Sequence, residues 1–110
     1  MAIGKLQWTD HSGQRGELNF GPEQPLVTVG RMADCQIRVL DTSVSRRHTQ
    51  FSYSRVGNED LFEVIDLDSS NGTFVNDEKI QKHDMIDNDM IKLGDIEFEF
   101  KCVSQHSRER

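Results

Sequence analysis

No stretch of this chain longer than about ten residues keeps the 3.6-residue apolar period of an amphipathic helix. What recurs instead is a series of short strand-like runs, at 6–9, 17–20, 26–29, 36–39, 49–53, 61–66, 73–75, 90–93 and 96–103. Turn residues fall between them: Ser12-Gly13, Gly21-Pro22, Gly57-Asn58, Asn71-Gly72, Asn76-Asp77 and Gly94-Asp95. The last run is the clearest, with Ile96, Phe98 and Phe100 on one face and Glu97, Glu99 and Lys101 on the other. Many short strands at this spacing imply an all-β sandwich or barrel with no substantial helix. Residue usage agrees. Alanine, the best helix former, occurs only at positions 2 and 33, whereas the β-branched Val and Ile number 15 together.

A length of 110 residues fits one domain and leaves no room for a second core. Leu, Ile, Val and Phe make up 28 of those residues, about a quarter, which exceeds the roughly one-fifth below which charged chains stay disordered. The expected domain is 1–103, and the wholly polar 104–110 reads as a tail or the start of a linker. No apolar run approaches the roughly 18 residues needed to span a bilayer, so no membrane role is expected. The opening Met1-Ala2-Ile3-Gly4-Lys5 lacks the apolar core of a secretory signal. Cys35 and Cys102 are too few for a disulfide framework or a zinc site, and the alternation through Phe98 and Phe100 makes Cys102 an expected buried thiol. A reducing intracellular compartment, the cytoplasm first and the nucleus second, is the natural reading, although a mature secreted fragment has the same composition.

Charge is distributed unevenly. Residues 1–55 carry net +2 and residues 56–110 net −8, for a total of −6. Such a chain is poorly suited to wrapping nucleic acid. Within 31–55, however, Arg31, Arg38, Arg46, Arg47 and Arg55 face only Asp34 and Asp41. A local arginine cluster on an acidic body suits a small anionic ligand. Arg38 and Arg55 read as solvated strand residues.

Function in an all-β sandwich usually sits on the loops that the sheets display. Three loops are chemically dense: Gly30-Arg31, Ser43-Val44-Ser45-Arg46-Arg47-His48, and Asp68-Ser69-Ser70-Asn71-Gly72-Thr73. They supply guanidinium forks, hydroxyl and amide donors and glycine turns, which is the inventory for holding a phosphate.

The ordered set Gly30-Arg31, Asp34-Cys35-Gln36-Ile37, Val44-Ser45-Arg46-Arg47-His48 and Ser69-Ser70-Asn71-Gly72-Thr73-Phe74-Val75-Asn76 resembles the forkhead-associated (FHA) domain over roughly residues 26–100. The resemblance implies a sandwich of about eleven mostly antiparallel strands whose loops bind phosphothreonine peptides. It implies a fork onto the phosphate from Arg31, a hydroxyl from Ser45 and a second phosphate contact from Arg46. Ser70 would help hold the phosphate and frame the threonine methyl, and Asn71 would grip the peptide backbone. Gly30, His48, Ser69, Gly72 and Asn76 match positions that support the site, with His48 bracing the loop of Ser45. Two positions depart from the family pattern, Asp77 and Asn88 standing where glycine is usual. Both residue types tolerate left-handed turns, so neither threatens the fold.

Competing readings fare worse. Ser45, His48 and Asp66 lack the Gly-x-Ser-x-Gly turn of a hydrolase nucleophile. A calcium loop starting at Asp66 would need glycine where Asn71 stands and glutamate where Asp77 stands. Asn71-Gly72-Thr73 fits a glycosylation sequon but reads as a turn. His11, His48, His83 and His106 show no metal-ligand spacing. The expected function is therefore a non-catalytic, cofactor-free, monomeric module that docks onto substrates of a Ser/Thr kinase. Its rival is a phosphate-independent interaction or self-association domain.

Overall fold

A computed structural model describes residues 2–10 and 12–104. The chain forms eleven strands: β1 (Ala2–Thr9), β2 (Arg15–Phe20), β3 (Leu26–Gly30), β4 (Ile37–Arg38), β5 (Thr49–Val56), β6 (Glu59–Asp66), β7 (Thr73–Val75), β8 (Glu78–Ile80), β9 (Lys82–Asp84), β10 (Met90–Leu93) and β11 (Ile96–Ser104). They make a six-stranded sheet, in the order β2-β1-β11-β10-β7-β8, and a five-stranded sheet, in the order β4-β3-β5-β6-β9. Every pairing is antiparallel except the short β3–β4 contact. Of the sandwich or barrel implied by the strand spacing, the sandwich implied by the family resemblance is what forms.

The alternation decides what lies between the sheets. Leu6, Phe51, Val64, Ile91, Leu93, Phe98 and Phe100 point inward and are fully buried. Phe20 meets Phe62 edge-on, with centroids 5.4 Å apart and planes at 82°. Each such side chain contributes about 1.5–3 kcal/mol by leaving water.

Two strands, β8 and β9, escape the alternation rule. Each has three residues, and each is the outermost strand of its sheet. An edge strand of that length buries almost nothing, so Glu78, Lys79, Lys82 and Asp84 carry no periodic apolar signal. The expected buried thiol at 102 is also corrected: Cys102 is exposed. Its phase along β11 is inward, but it lies two residues past Phe100 toward the end of the strand, opposite the side-chain-free Gly4. Alternation fixes a residue's face and not its depth. The domain end expected at 103 falls one residue short of the end of β11, and the rest of the expected tail, 105–110, lies outside the described residues.

Register gathers the loops at one end. Val29 pairs with Thr49 and Thr49 with Asp66, while Thr73 pairs with Leu93 and Leu93 with Ile96. The ends of β3, β6 and β10 and the starts of β5, β7 and β11 therefore share one level.

Candidate functional site

Three loops meet at that level. Arg31 follows β3, its N–H donating to Ser45 O at 3.2 Å, and the Met32 N–H donates to Arg46 O at 3.2 Å. This approach is so close that a Cβ on Gly30 would fall 2.0 Å from Arg46 O, which explains glycine at that position. The Arg31 Nε donates to Val44 O at 2.6 Å, fixing the guanidinium while its terminal nitrogens have no hydrogen-bond partner among the described residues.

His48 is fully buried and joins the second loop to the third. Its Nδ1 accepts the Ser45 N–H at 3.0 Å, so Nε2 carries the proton and donates to Gly72 O at 2.8 Å. Both ring nitrogens are thereby used, and the rejected Ser45–His48–Asp66 triad does not assemble. The Ser70 N–H donates to Ser45 Oγ at 3.0 Å, which leaves the Ser45 hydroxyl proton free to donate elsewhere.

Beneath the third loop lies a polar network centred on Asp66. Its Oδ1 accepts the Ser69 and Thr73 hydroxyls and its Oδ2 accepts the Ser69 N–H at 3.2 Å. The Ser69 Oγ in turn accepts the Gly72 N–H at 2.9 Å, and the buried Thr49 and Thr73 hydroxyls lie 2.8 Å apart. Burial alone would push the Asp66 carboxyl up, but the hydroxyls of Ser69 and Thr73 and the Ser69 N–H outweigh it and hold the group below its usual value.

Ser43 fastens a further segment. Its carbonyl accepts the Asn71 side-chain amide at 2.8 Å, and its hydroxyl accepts the Asp95 N–H at 2.8 Å. Gly94, with φ of +57°, lies so near that a Cβ would sit 2.4 Å from Ser43 O. Among the described residues the other amide hydrogen of Asn71 and its side-chain oxygen have no partner. A cleft of about 480 Å³ opens beside it, lined by Ser43, Asn71, Phe74 and Lys92 among others.

Five sequence-expected residues, Arg31, Ser45, Arg46, Ser70 and Asn71, stand together on these loops. Gly30, His48, Ser69 and Gly72 hold the loops in place. Asn76 does not join them. It lies at the other end of β7, where its side chain donates to Asp89 Oδ1 at 2.9 Å and accepts the Met90 N–H at 3.0 Å. It pins β7 to the start of β10, so its support is to the sheet. Sequence reasoning passed over Thr49, gave Ser43 and Thr73 no role of their own within the dense loops, and placed Asp66 only in readings it rejected. The Asp41-x-Ser43 and Asp66-x-x-Ser69 spacings are the usable signal, because a short carboxylate folds back onto a nearby N–H in such turns. Among the described residues no three His, Cys, Asp or Glu side chains are grouped to hold a metal ion.

The family model for the FHA domain matches residues 27–94, the span that carries all three loops. The chain belongs to the FHA domain family. It is 39% identical over 92 residues to the FHA domain-containing protein FhaA of Mycobacterium tuberculosis, covering 84% of this chain and 16% of that protein. It is 38% identical over 88 residues to the oxoglutarate dehydrogenase inhibitor of Corynebacterium glutamicum, covering 80% of this chain and 59% of that one. The chain thus spans from under a fifth to under two thirds of these relatives. A solved structure from a structural and functional study of phosphothreonine-dependent FHA domain interactions superimposes with a TM-score of 0.72 at 34% identity, covering 92% of this chain and 96% of that one. The eleven-stranded FHA sandwich is therefore shown by fold and by sequence together. Both departures from the FHA pattern adopt the left-handed backbone, with φ of +72° at Asp77 and +75° at Asn88.

Proposed function

We propose that this FHA domain is a non-catalytic module that binds phosphothreonine on partner proteins, with Arg31, Ser45, Arg46, Ser70 and Asn71 as the binding set. One observation carries the reading: three loops from separate strands converge so that an anchored guanidinium and a free hydroxyl donor stand together on an otherwise acidic molecule. A phosphothreonine brings about −1.5 to −2 charge and several acceptor oxygens, which the unmodified residue lacks. The Arg31 fork and Arg46 answer the charge, and the Ser45 and Ser70 hydroxyls answer the oxygens. Because His48 and Asp66 already hold the loops, little ordering accompanies binding, and affinity is conserved. The partners are substrates of a Ser/Thr kinase, and the setting is intracellular assembly downstream of that kinase. The phosphothreonine dependence studied in a related FHA domain supports the same ligand class.

The test is calorimetric titration of a degenerate phosphothreonine peptide library on the domain and on Arg31→Ala. Wild type should bind the phosphorylated pool and ignore its unphosphorylated twin. Arg31→Ala should lose about 1.5–3 kcal/mol, roughly ten- to over a hundred-fold. Arg31→Lys should recover part of the loss, since a point charge cannot form the planar fork. Equal binding of both pools would favour the rival, a phosphate-independent interaction domain.

A further inference from the structure

Arg38 resembled a solvated strand residue in the sequence, and the structure gives it a different setting. β3 and β4 run parallel with Gly30 opposite Arg38, and the Val39 N–H donates to Gly30 O at 2.9 Å. This pairing brings Arg38 against the residue that follows β3. Its Nε donates to the main-chain carbonyl of Arg31 at 3.0 Å. Arg31 is fastened in the same manner, Nε to the carbonyl of Val44 at 2.6 Å. Each guanidinium, on an exposed residue, is thus held by its inner nitrogen on a backbone oxygen, and among the described residues the outer nitrogens, which fork onto anions, make no hydrogen bond.

Among the described residues neither Arg31, Arg38 nor Arg46 forms an ion pair, whereas neighbouring Arg47 is engaged by Asp34. An arginine that served only solubility would wave free. One tethered to the main chain of the phosphate-reading residue has lost that freedom and presents a fixed second charge beside the first.

We infer that Arg38 forms a second anion subsite, on the β4 side of Arg31, which selects phosphothreonine ligands carrying a further anionic group near the phosphothreonine. That group is a carboxylate or a second phosphate. The inference rests on the proposed phosphothreonine site and adds to it a preference in the flanking sequence.

The experiment uses phosphothreonine peptides from a degenerate library in which each flanking position is fixed in turn as Ala, Lys, Asp or phosphothreonine. These are titrated on wild type, Arg38→Gln, Arg38→Lys and Arg55→Gln. At one or two positions wild type should bind the Asp form about three- to fivefold better than the Ala form, as expected of an exposed charge pair, and the doubly phosphorylated form better still. The ratio of those two gains identifies which anion the subsite is built for. Arg38→Gln should erase both gains while keeping its affinity for the Ala-flanked peptide within about twofold. Arg38→Lys should keep a minor part of the gain. Arg55→Gln removes the same charge at the far end of β5 and should leave the preference intact. A flat profile in wild type, or an equal loss in Arg55→Gln, overturns the subsite and leaves the primary site standing. Failure of wild type to bind any phosphothreonine peptide would overturn the primary site itself.

Discussion

At the scale of single residues, the site was legible wherever a residue type is forced by chemistry. Arg31, Ser45 and Asn71 were singled out by the resemblance to the FHA domain, on loops whose guanidinium, hydroxyl and amide groups already suited a phosphate. Gly30 could be read only as a family match, and its physical reason appears in three dimensions, where Arg46 O occupies the space a side chain would need. Arg38 is the exposed strand residue the sequence implied, but its tether was not legible there. An exposed arginine on a strand is ordinarily free, and only the parallel register of β3 and β4 shows its Nε on Arg31 O. The Gly30 contact makes a sharp prediction. Gly30→Ala must push the Ser45–Arg46 main chain outward, because the obstructing atoms are backbone and cannot rotate away. Phosphothreonine peptide affinity should fall by at least about tenfold, and melting temperature should drop with it, by an amount typical of overpacking, about 1–3 kcal/mol. Retained affinity in titration would mean that the two loops need not be in register to read the ligand.

The elements divide along similar lines. Strands facing the core on one side announced themselves, and β7, β10 and β11 fell close to where alternation put them. β8 and β9 did not, because three-residue edges bury too little to leave a period. The β6–β7 loop was recognised for Ser70 and Asn71, while the half-buried carboxylate that shapes it, Asp66, figured only in rejected readings. Asp66 sits below its usual value in the folded state, so as pH falls the unfolded chain takes up the proton first. Its contribution to stability is complete above the unfolded value, near 3.9, and is lost as pH falls through the lower folded value. Thermal melts between pH about 5 and 3 should therefore show falling stability in wild type. Asp66→Asn should be less stable at neutral pH, since it loses a charge-assisted acceptor for Ser69 and Thr73, and its melting temperature should depend less on pH across that window. An unchanged pH slope in Asp66→Asn would remove Asp66 from the loop's stability account.

On the scale of the whole molecule, a small cationic site is mounted on an acidic body, with a net charge of −6 overall and −8 in the second half of the chain. The outer face of the six-stranded sheet carries part of that charge, with Glu17, Glu97, Glu99 and Asp95 lining one shallow trough. An incoming phosphopeptide thus meets two fields of opposite sign. In the proposed site Arg31 and Arg46 act at contact distance and are screened weakly, whereas the body acts at range and is screened strongly. The Debye length is about 30 Å at 0.01 M salt and about 8 Å at 0.15 M. Added salt therefore removes long-range repulsion at the same time as it weakens the attraction, and the two changes offset one another. Affinity for a singly phosphorylated, neutral-flanked peptide should vary by less than about threefold between roughly 0.05 and 0.3 M sodium chloride. Neutralising part of the body with the pair Glu97→Gln and Glu99→Gln should raise affinity at the low-salt end, leave it nearly unchanged at the high-salt end, and so steepen the salt dependence. A wild-type affinity that falls tenfold over the same range would mean that the arginines alone set the field and that the acidic body does not reach the ligand.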